Sequence, residues 1–149
     1  MKSKIRDYGR QNRLNLNVII GLYRSYFRIH RSTQKLIASY NITMPQFGVM
    51  EALYHLGDMN IGDIIDKTLS TSGNMTVVIK NLEKEGWIIR HTDPVDKRAY
   101  LVQITEKGKE LIETIFPEHL NDLEGLLNNL DIEEKEQLIY LFKKMNRME

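Results

Sequence analysis

None of the 149 residues is a cysteine. That absence excludes disulfide scaffolds, cysteine nucleophiles, thiolate zinc sites and sensing by thiol oxidation. Proline occurs only three times, at Pro45, Pro94 and Pro117, so each is expected to mark a turn, a helix start or a break. No apolar run approaches the roughly 20 residues that span a bilayer, and the first residues form no signal-peptide core. A soluble, cytoplasmic protein without a membrane partner is expected. The four histidines (His30, His55, His91, His119) form no His-x-x-x-His pair, and neither a Gly-rich phosphate loop nor a nucleophile elbow is present. No metal site, cofactor or catalysis is expected.

Charge of one sign is also scarce, with a net charge of only +1. The distribution says more than the sum. Residues 1–35 hold nine Lys/Arg against one Asp, residues 61–105 hold six of each sign, and residues 106–149 hold six Lys/Arg against eleven acids. A basic start is thus offset by an acidic end. With 42% hydrophobic and 28% charged residues, the chain has the composition of one globular domain.

A helical period runs from about Asn12 to Ser39. Ile19, Leu22, Tyr23 and Tyr26 fall at i, i+3, i+4 and i+7 on one apolar face, while Arg24, Arg28, Arg31 and Lys35 form a separate basic stripe. That stripe is read as a solvated face, a partner for the acidic C-terminal segment of the same chain or of a second subunit, or a phosphate contact. Next, Thr43-Met44-Pro45-Gln46 has the spacing of a capping box with proline in the first turn. It opens a helix that keeps Val49, Ala52, Leu53 and Leu56 on one side and stops at Gly57-Asp58. Asn60 can cap a short helix to about Lys67 bearing Ile61, Ile64 and Ile65.

After a turn of small polar residues, Ser72 to Glu85 forms the most informative helix. Met75, Val78, Ile79 and Leu82 make its buried stripe, and Gly86 closes it as a left-handed cap. Thr76, Val77, Lys80, Asn81 and Lys84 lie on the other side, with Ser70, Thr71, Ser72, Gly73 and Asn74 around its N-terminus. Taken singly, these hydroxyls are helix caps. As a set, they and the unpaired N–H groups of a helix N-terminus suit phosphates and base edges. Trp87–His91 and Ala99–Ile104 then read as two strands joined by a turn holding Asp93-Pro94 and Asp96-Lys97-Arg98. An arginine on a thin protruding loop suits the narrow, electronegative minor groove, and Asp96 can hold it.

These residues resemble the MarR family of bacterial winged-helix transcriptional regulators. The resemblance rests on Ser72-Gly73-Asn74-Met75-Thr76, Leu82-Glu83-Lys84-Glu85-Gly86-Trp87, the Asp96-x-Arg98 wing motif, and Ile104-Thr105-Glu106-Lys107-Gly108. It covers nearly the whole chain. By that resemblance the helix from Ser72 reads the major groove, Arg98 enters the minor groove and Asp96 supports it. Val77 stands where many relatives carry arginine, which implies an apolar contact such as one to a thymine methyl. Ser72–Thr76 and Ile115-Phe116-Pro117-Glu118-His119 are similar to a bacillus- and staphylococcus-like subgroup, some of whose members respond to quinones and phenolic compounds.

The last segment carries Leu111, Ile112, Ile115 and Phe116 on a helix capped by Thr105, which Pro117 is expected to kink or restart. Leu120, Leu123, Leu127 and Leu130 continue the seam, Asp131-Ile132-Glu133-Glu134 reads as a new cap, and Leu138, Leu141, Phe142 and Met145 form a final apolar face. The two ends hold more apolar surface than a small winged domain covers, so dimerisation through Ile19, Leu22, Leu138, Leu141, Phe142 and Met145 is expected.

The fold class expected is mainly α with a small β-hairpin wing. Residues 41–105 would form a winged helix-turn-helix, and residues 1–40 and 106–149 a helical dimerisation region, in a single compact chain. The expected function is a repressor that binds pseudo-palindromic double-stranded DNA as a homodimer and is released by a small phenolic or quinone-like effector. The alternative is a winged-helix module for protein–protein contact without sequence-specific DNA binding.

Overall fold

The structure, a computed structural model, describes residues 7–68 and 71–148. Along them run α1 (Gly9–Ser39), α2 (Met44–Leu56), α3 (Ile61–Thr68), α4 (Ser72–Lys84), the strands β1 (Ile88–Thr92) and β2 (Tyr100–Ile104), α5 (Glu106–Leu127) and α6 (Ile132–Met145). The strands pair antiparallel, Ile88 with Ile104 through Thr92 with Tyr100. This is a mostly helical chain with one hairpin, as its sequence leads one to expect. None of the described helices is long and apolar enough to cross a membrane.

Most helix boundaries follow from local chemistry. Thr43 Oγ1 accepts from the Gln46 amide at 3.3 Å while Gln46 Oε1 accepts from the Thr43 amide at 2.8 Å, the reciprocal capping box that starts α2. Gly57, at φ +86°, ends it. Asn60 Oδ1 accepts from the Asp63 amide at 2.9 Å and starts α3. Eight residues are too few for a helix to stand alone. The fully buried Ile64 anchors α3, and a short bridge in front of it, Met59 N–H to the Val102 carbonyl at 3.1 Å and the reverse at 2.8 Å, ties its entrance to β2.

At the end of α4 the Trp87 amide donates to the Leu82 carbonyl and the Gly86 amide to the Glu83 carbonyl, both at 3.0 Å, with Gly86 at φ +73°. This is a Schellman cap, and it turns the chain directly into β1. Thr105 then joins three elements. Its hydroxyl donates to the Gly86 carbonyl at 2.7 Å and accepts from the Gly108 amide at 3.2 Å, while its own amide donates to the Trp87 carbonyl at 3.0 Å. The approach leaves no space at Gly108, where a Cβ would collide with the Trp87 carbonyl oxygen and Ile104 Cγ1.

One core serves these elements. Met75, Val78, Ile79 and Leu82 of α4, all buried as the period predicts, meet Phe47, Met50 and Leu53 of α2, Ile64 of α3, Ile88 and Val102 of the hairpin, and Ile37, Ile112 and Ile115 from α1 and α5. Two boundaries differ from expectation. Helix α1 begins at Gly9 rather than near Asn12, with Asn12 Nδ2 donating to the Tyr8 carbonyl at 3.0 Å. Of the kink or restart expected at Pro117, the restart does not occur: helix α5 continues to Leu127. Ile115 before the proline and His119 after it are both buried, so packing on either side holds the helix through the missing N–H. The chain breaks instead at residues 128–131, where Asp131 Oδ1 accepts from the Glu134 amide at 2.8 Å and opens α6.

Candidate nucleic-acid interface

Helix α4 buries one side and offers the other. Ser72, Gly73, Asn74, Thr76, Val77, Lys80, Asn81 and Lys84 are all exposed, as is Thr71 in front of them. Ser70 lies outside the described residues. Thr71 is the N-cap but its side chain makes no capping bond, which leaves its hydroxyl for an external partner. Thr76 Oγ1, by contrast, donates back to the Ser72 carbonyl at 3.3 Å and so presents mainly its methyl and a lone pair. Val77 is 56% exposed in the middle of this polar face. Nothing in the core requires it there, and an apolar side chain at that place fits a methyl-bearing base edge.

The wing tip is ordered by its acids. Asp93 Oδ1 accepts from the amides of Val95 at 2.7 Å and Asp96 at 3.3 Å, and the Ala99 amide donates to the Asp96 carbonyl at 2.9 Å. Asp96 Oδ1 in turn accepts from the Arg98 amide at 3.0 Å and from Arg98 Nε at 3.5 Å. The carboxylate thus holds the root of a guanidinium whose side chain is 94% exposed. Lys97 is exposed beside it. The pairing of Asp96 with Arg98 is the one the sequence suggests; the role of Asp93 as organiser of the turn is not, although an Asx turn before Pro94 could have signalled it.

Three contacts around the wing and the end of α4 have no counterpart in the sequence reading. Glu83 near the end of α4 accepts two bonds from Arg90 of β1, at 2.7 Å from Nε and 2.6 Å from Nη2, and this pairing pushes the arginine pKa up from its ordinary value. Lys107 Nζ donates to the Glu85 carbonyl at 2.6 Å, capping the negative end of α4 while lying 5.8 Å from the Trp87 ring centre. His91 of β1 meets Asp58 across the α2–α3 turn at 3.0 Å. All three depend on residues brought together by the hairpin, so no local spacing announces them.

Away from this face, a cleft of about 970 Å³ opens between α1 and α2 and reaches the end of α3, lined among others by Tyr26, His30, Glu51, His55, Lys67 and Met75. Tyr26 and His30 stack at 5.3 Å. Met75 belongs to the inner stripe of α4, so the cleft reaches the core side of the same helix whose outer side is described above. Of the four histidines, His119 is buried against Phe47 and Phe116, and no group of metal-binding side chains occurs among the described residues. The basic stripe of Arg24, Arg28, Arg31 and Lys35 is exposed, and none of the four is in an ion pair among the described residues.

The two ends of the chain leave a large apolar surface uncovered. No residue of α6 is buried, and Leu138, Leu141, Phe142 and Met145 are 37–51% exposed. Ile19 in the first half of α1 is 48% exposed, with Leu22 half-buried beside it.

The sequence profile of the MarR family matches residues 42–100. The regulator MhqR of Bacillus subtilis is 36% identical over 131 residues, covering 88% of this chain and 90% of its own. Among solved structures, BpsR of Bordetella bronchiseptica, whose DNA binding is regulated by 6-hydroxynicotinic acid, superimposes with a TM-score of 0.77 at 28% identity, over 87% of this chain and 98% of its own. A cysteine-to-serine mutant of Escherichia coli MarR complexed with operator DNA superimposes with a TM-score of 0.70 at 26% identity, over 87% and 96%. A winged helix with an outward-facing second helix, an acid-braced wing arginine and these relatives have one common reading: the chain belongs to the MarR family of DNA-binding transcriptional regulators, a family of regulators rather than of enzymes.

Proposed function

We propose that the chain acts in the cytoplasm as a homodimeric repressor whose two copies of α4 enter successive major grooves of a pseudo-palindromic site, about one helical turn or 10 base pairs apart. The observation that carries this reading is the exposed face of α4 together with the nearly free Arg98 guanidinium on a braced wing. Thr71, Ser72, Gly73, Asn74, Thr76, Val77, Lys80, Asn81 and Lys84 form its major-groove surface, to which the sequence adds Ser70; Asp96, Lys97 and Arg98 form its minor-groove surface. The apolar faces of α1 and α6, with Ile19, Leu22, Leu138, Leu141, Phe142 and Met145, supply the dimer contact between the regions 1–40 and 106–149 of two chains, leaving 41–105 to the DNA. Burying them against a second copy also brings the basic stripe of α1 near a chain with an acidic end.

The cleft between α1, α2 and the end of α3 is the effector site in this reading. Its size suits a small molecule, and Tyr26, His30, His55 and Lys67 suit a hydroxylated aromatic ring, as in phenols, with or without a carboxylate such as that of the BpsR ligand. A ligand wedged there meets Met75 on the inner side of α4, so it favours one helix position over another and shifts the population away from DNA. Gel shift at low salt against duplexes selected from a random library tests the reading. Retarded dimer complexes that hydroxylated aromatic acids or quinones release support it. No complex at all favours a module for protein–protein contact.

A further inference from the structure

His91 sits in β1 opposite the uncharged Leu101, and both of its ring nitrogens face acceptors. Nε2 lies 3.0 Å from Asp58 Oδ2 in the α2–α3 turn, and Nδ1 lies 3.2 Å from the Thr92 carbonyl oxygen. A neutral imidazole has one N–H and satisfies only one of these oxygens. The imidazolium satisfies both. The charged groups that face the ring are Asp58 from the turn and Asp93 from the wing, both acidic. The Asp58 hydrogen bond first, and the Thr92 bond second, push the imidazole pKa above its ordinary value, outweighing a smaller opposing effect of desolvation.

The position of this histidine gives the pair a use. The turn holding Asp58 is already joined to β2 by the two Met59–Val102 backbone bonds. His91 adds a side-chain bond from the same turn to β1, so both strands of the wing are tied to the helix-turn-helix just before the tip that carries Arg98. We infer that His91 in its protonated form is a positioning residue for DNA binding: bonded to Asp58 and Thr92 together, it holds the wing in the direction that delivers Arg98, and DNA affinity follows its proton. This rests on the DNA-binding reading above. Because the folded-state pKa is raised, the clamp is complete below the ordinary imidazole value and is lost as pH rises through the folded value. The pair is about a third exposed, so its effect is modest, about two- to fivefold in affinity.

The test compares the full-length wild type with His91→Gln and Asp58→Asn, titrating a fluorescent duplex selected with the wild type over about pH 6 to 8.5 at fixed ionic strength. The ring proton of His91 is followed by NMR in the free proteins. The other histidines are common to all three proteins and cancel in the comparison. Wild-type affinity is expected to fall about two- to fivefold over the range, while both variants stay near the weaker level with a flatter slope. The ring is expected to titrate above the ordinary imidazole value and to move down in Asp58→Asn. A His91→Gln protein that keeps the wild-type slope, or a ring that titrates at or below the ordinary value, overturns the proposal. The NMR readout needs no DNA, so a failure of the DNA-binding reading shows separately, as a wild type that selects no duplex.

Discussion

Arg98 is held at its root by Asp96 and is otherwise exposed, so its removal disturbs nothing in the core. Arg98→Ala is therefore expected to leave thermal stability unchanged, to weaken DNA binding by about 1–3 kcal/mol and to flatten the salt dependence by about one unit. Anisotropy titrations at several salt concentrations measure both, and an unchanged affinity and slope would remove the wing from the interface. Gly108 poses the opposite case. It touches no partner molecule in the reading above, yet any side chain there meets the Trp87 carbonyl oxygen, which the Schellman cap and Thr105 hold in place. Gly108→Ala is expected to cost about 1–3 kcal/mol of stability by overpacking, read from the urea midpoint, with the wild-type midpoint as the contradicting result. The wing motif is legible as residues; the glycine is legible only as part of a family pattern, because its reason is a close approach between α5 and the turn after α4.

Among the elements, those with their own start and stop signals can be read directly. The capping boxes at Thr43 and Asp131, the Asn60 and Thr105 caps and the Gly86 stop each need only residues within a few positions of one another. The four-residue buried stripe of α4 follows from period alone. At Pro117 the expected restart does not occur, because a proline's local penalty says nothing of the packing of Ile115 and His119 on either side of it. Since the helix continues through it, Pro117→Ala restores a hydrogen bond to the Glu113 carbonyl and is expected to stabilise the fold by about 1–3 kcal/mol, measured by denaturant unfolding. A loss of stability would instead mean that the proline shapes α5 for a purpose. The bridge of Met59 to Val102 and the Arg90–Glu83 pair escape the sequence because they join residues from separate elements.

For the whole molecule, the even balance of charge in residues 61–105 means that the winged region itself does not offer an excess of positive charge for DNA affinity. In the function proposed above that affinity rests on a helix end, a few lysines and one arginine, and a dimer would double them and make the second contact effectively intramolecular. Replacing Leu141 and Phe142 together by Asp on the uncovered face of α6 is expected to give a monomer by sedimentation and to weaken binding by about 100-fold, with the winged region still folded by circular dichroism. A dimer that persists would place the interface elsewhere. The most direct test of the central claim is selection of duplexes from a random library by the wild-type chain and by Arg98→Ala. The account predicts a pseudo-palindrome with half-sites about 10 base pairs apart, enriched by the wild type and depleted of minor-groove preference in the variant; no enriched sequence, or the same enrichment from both proteins, would contradict it.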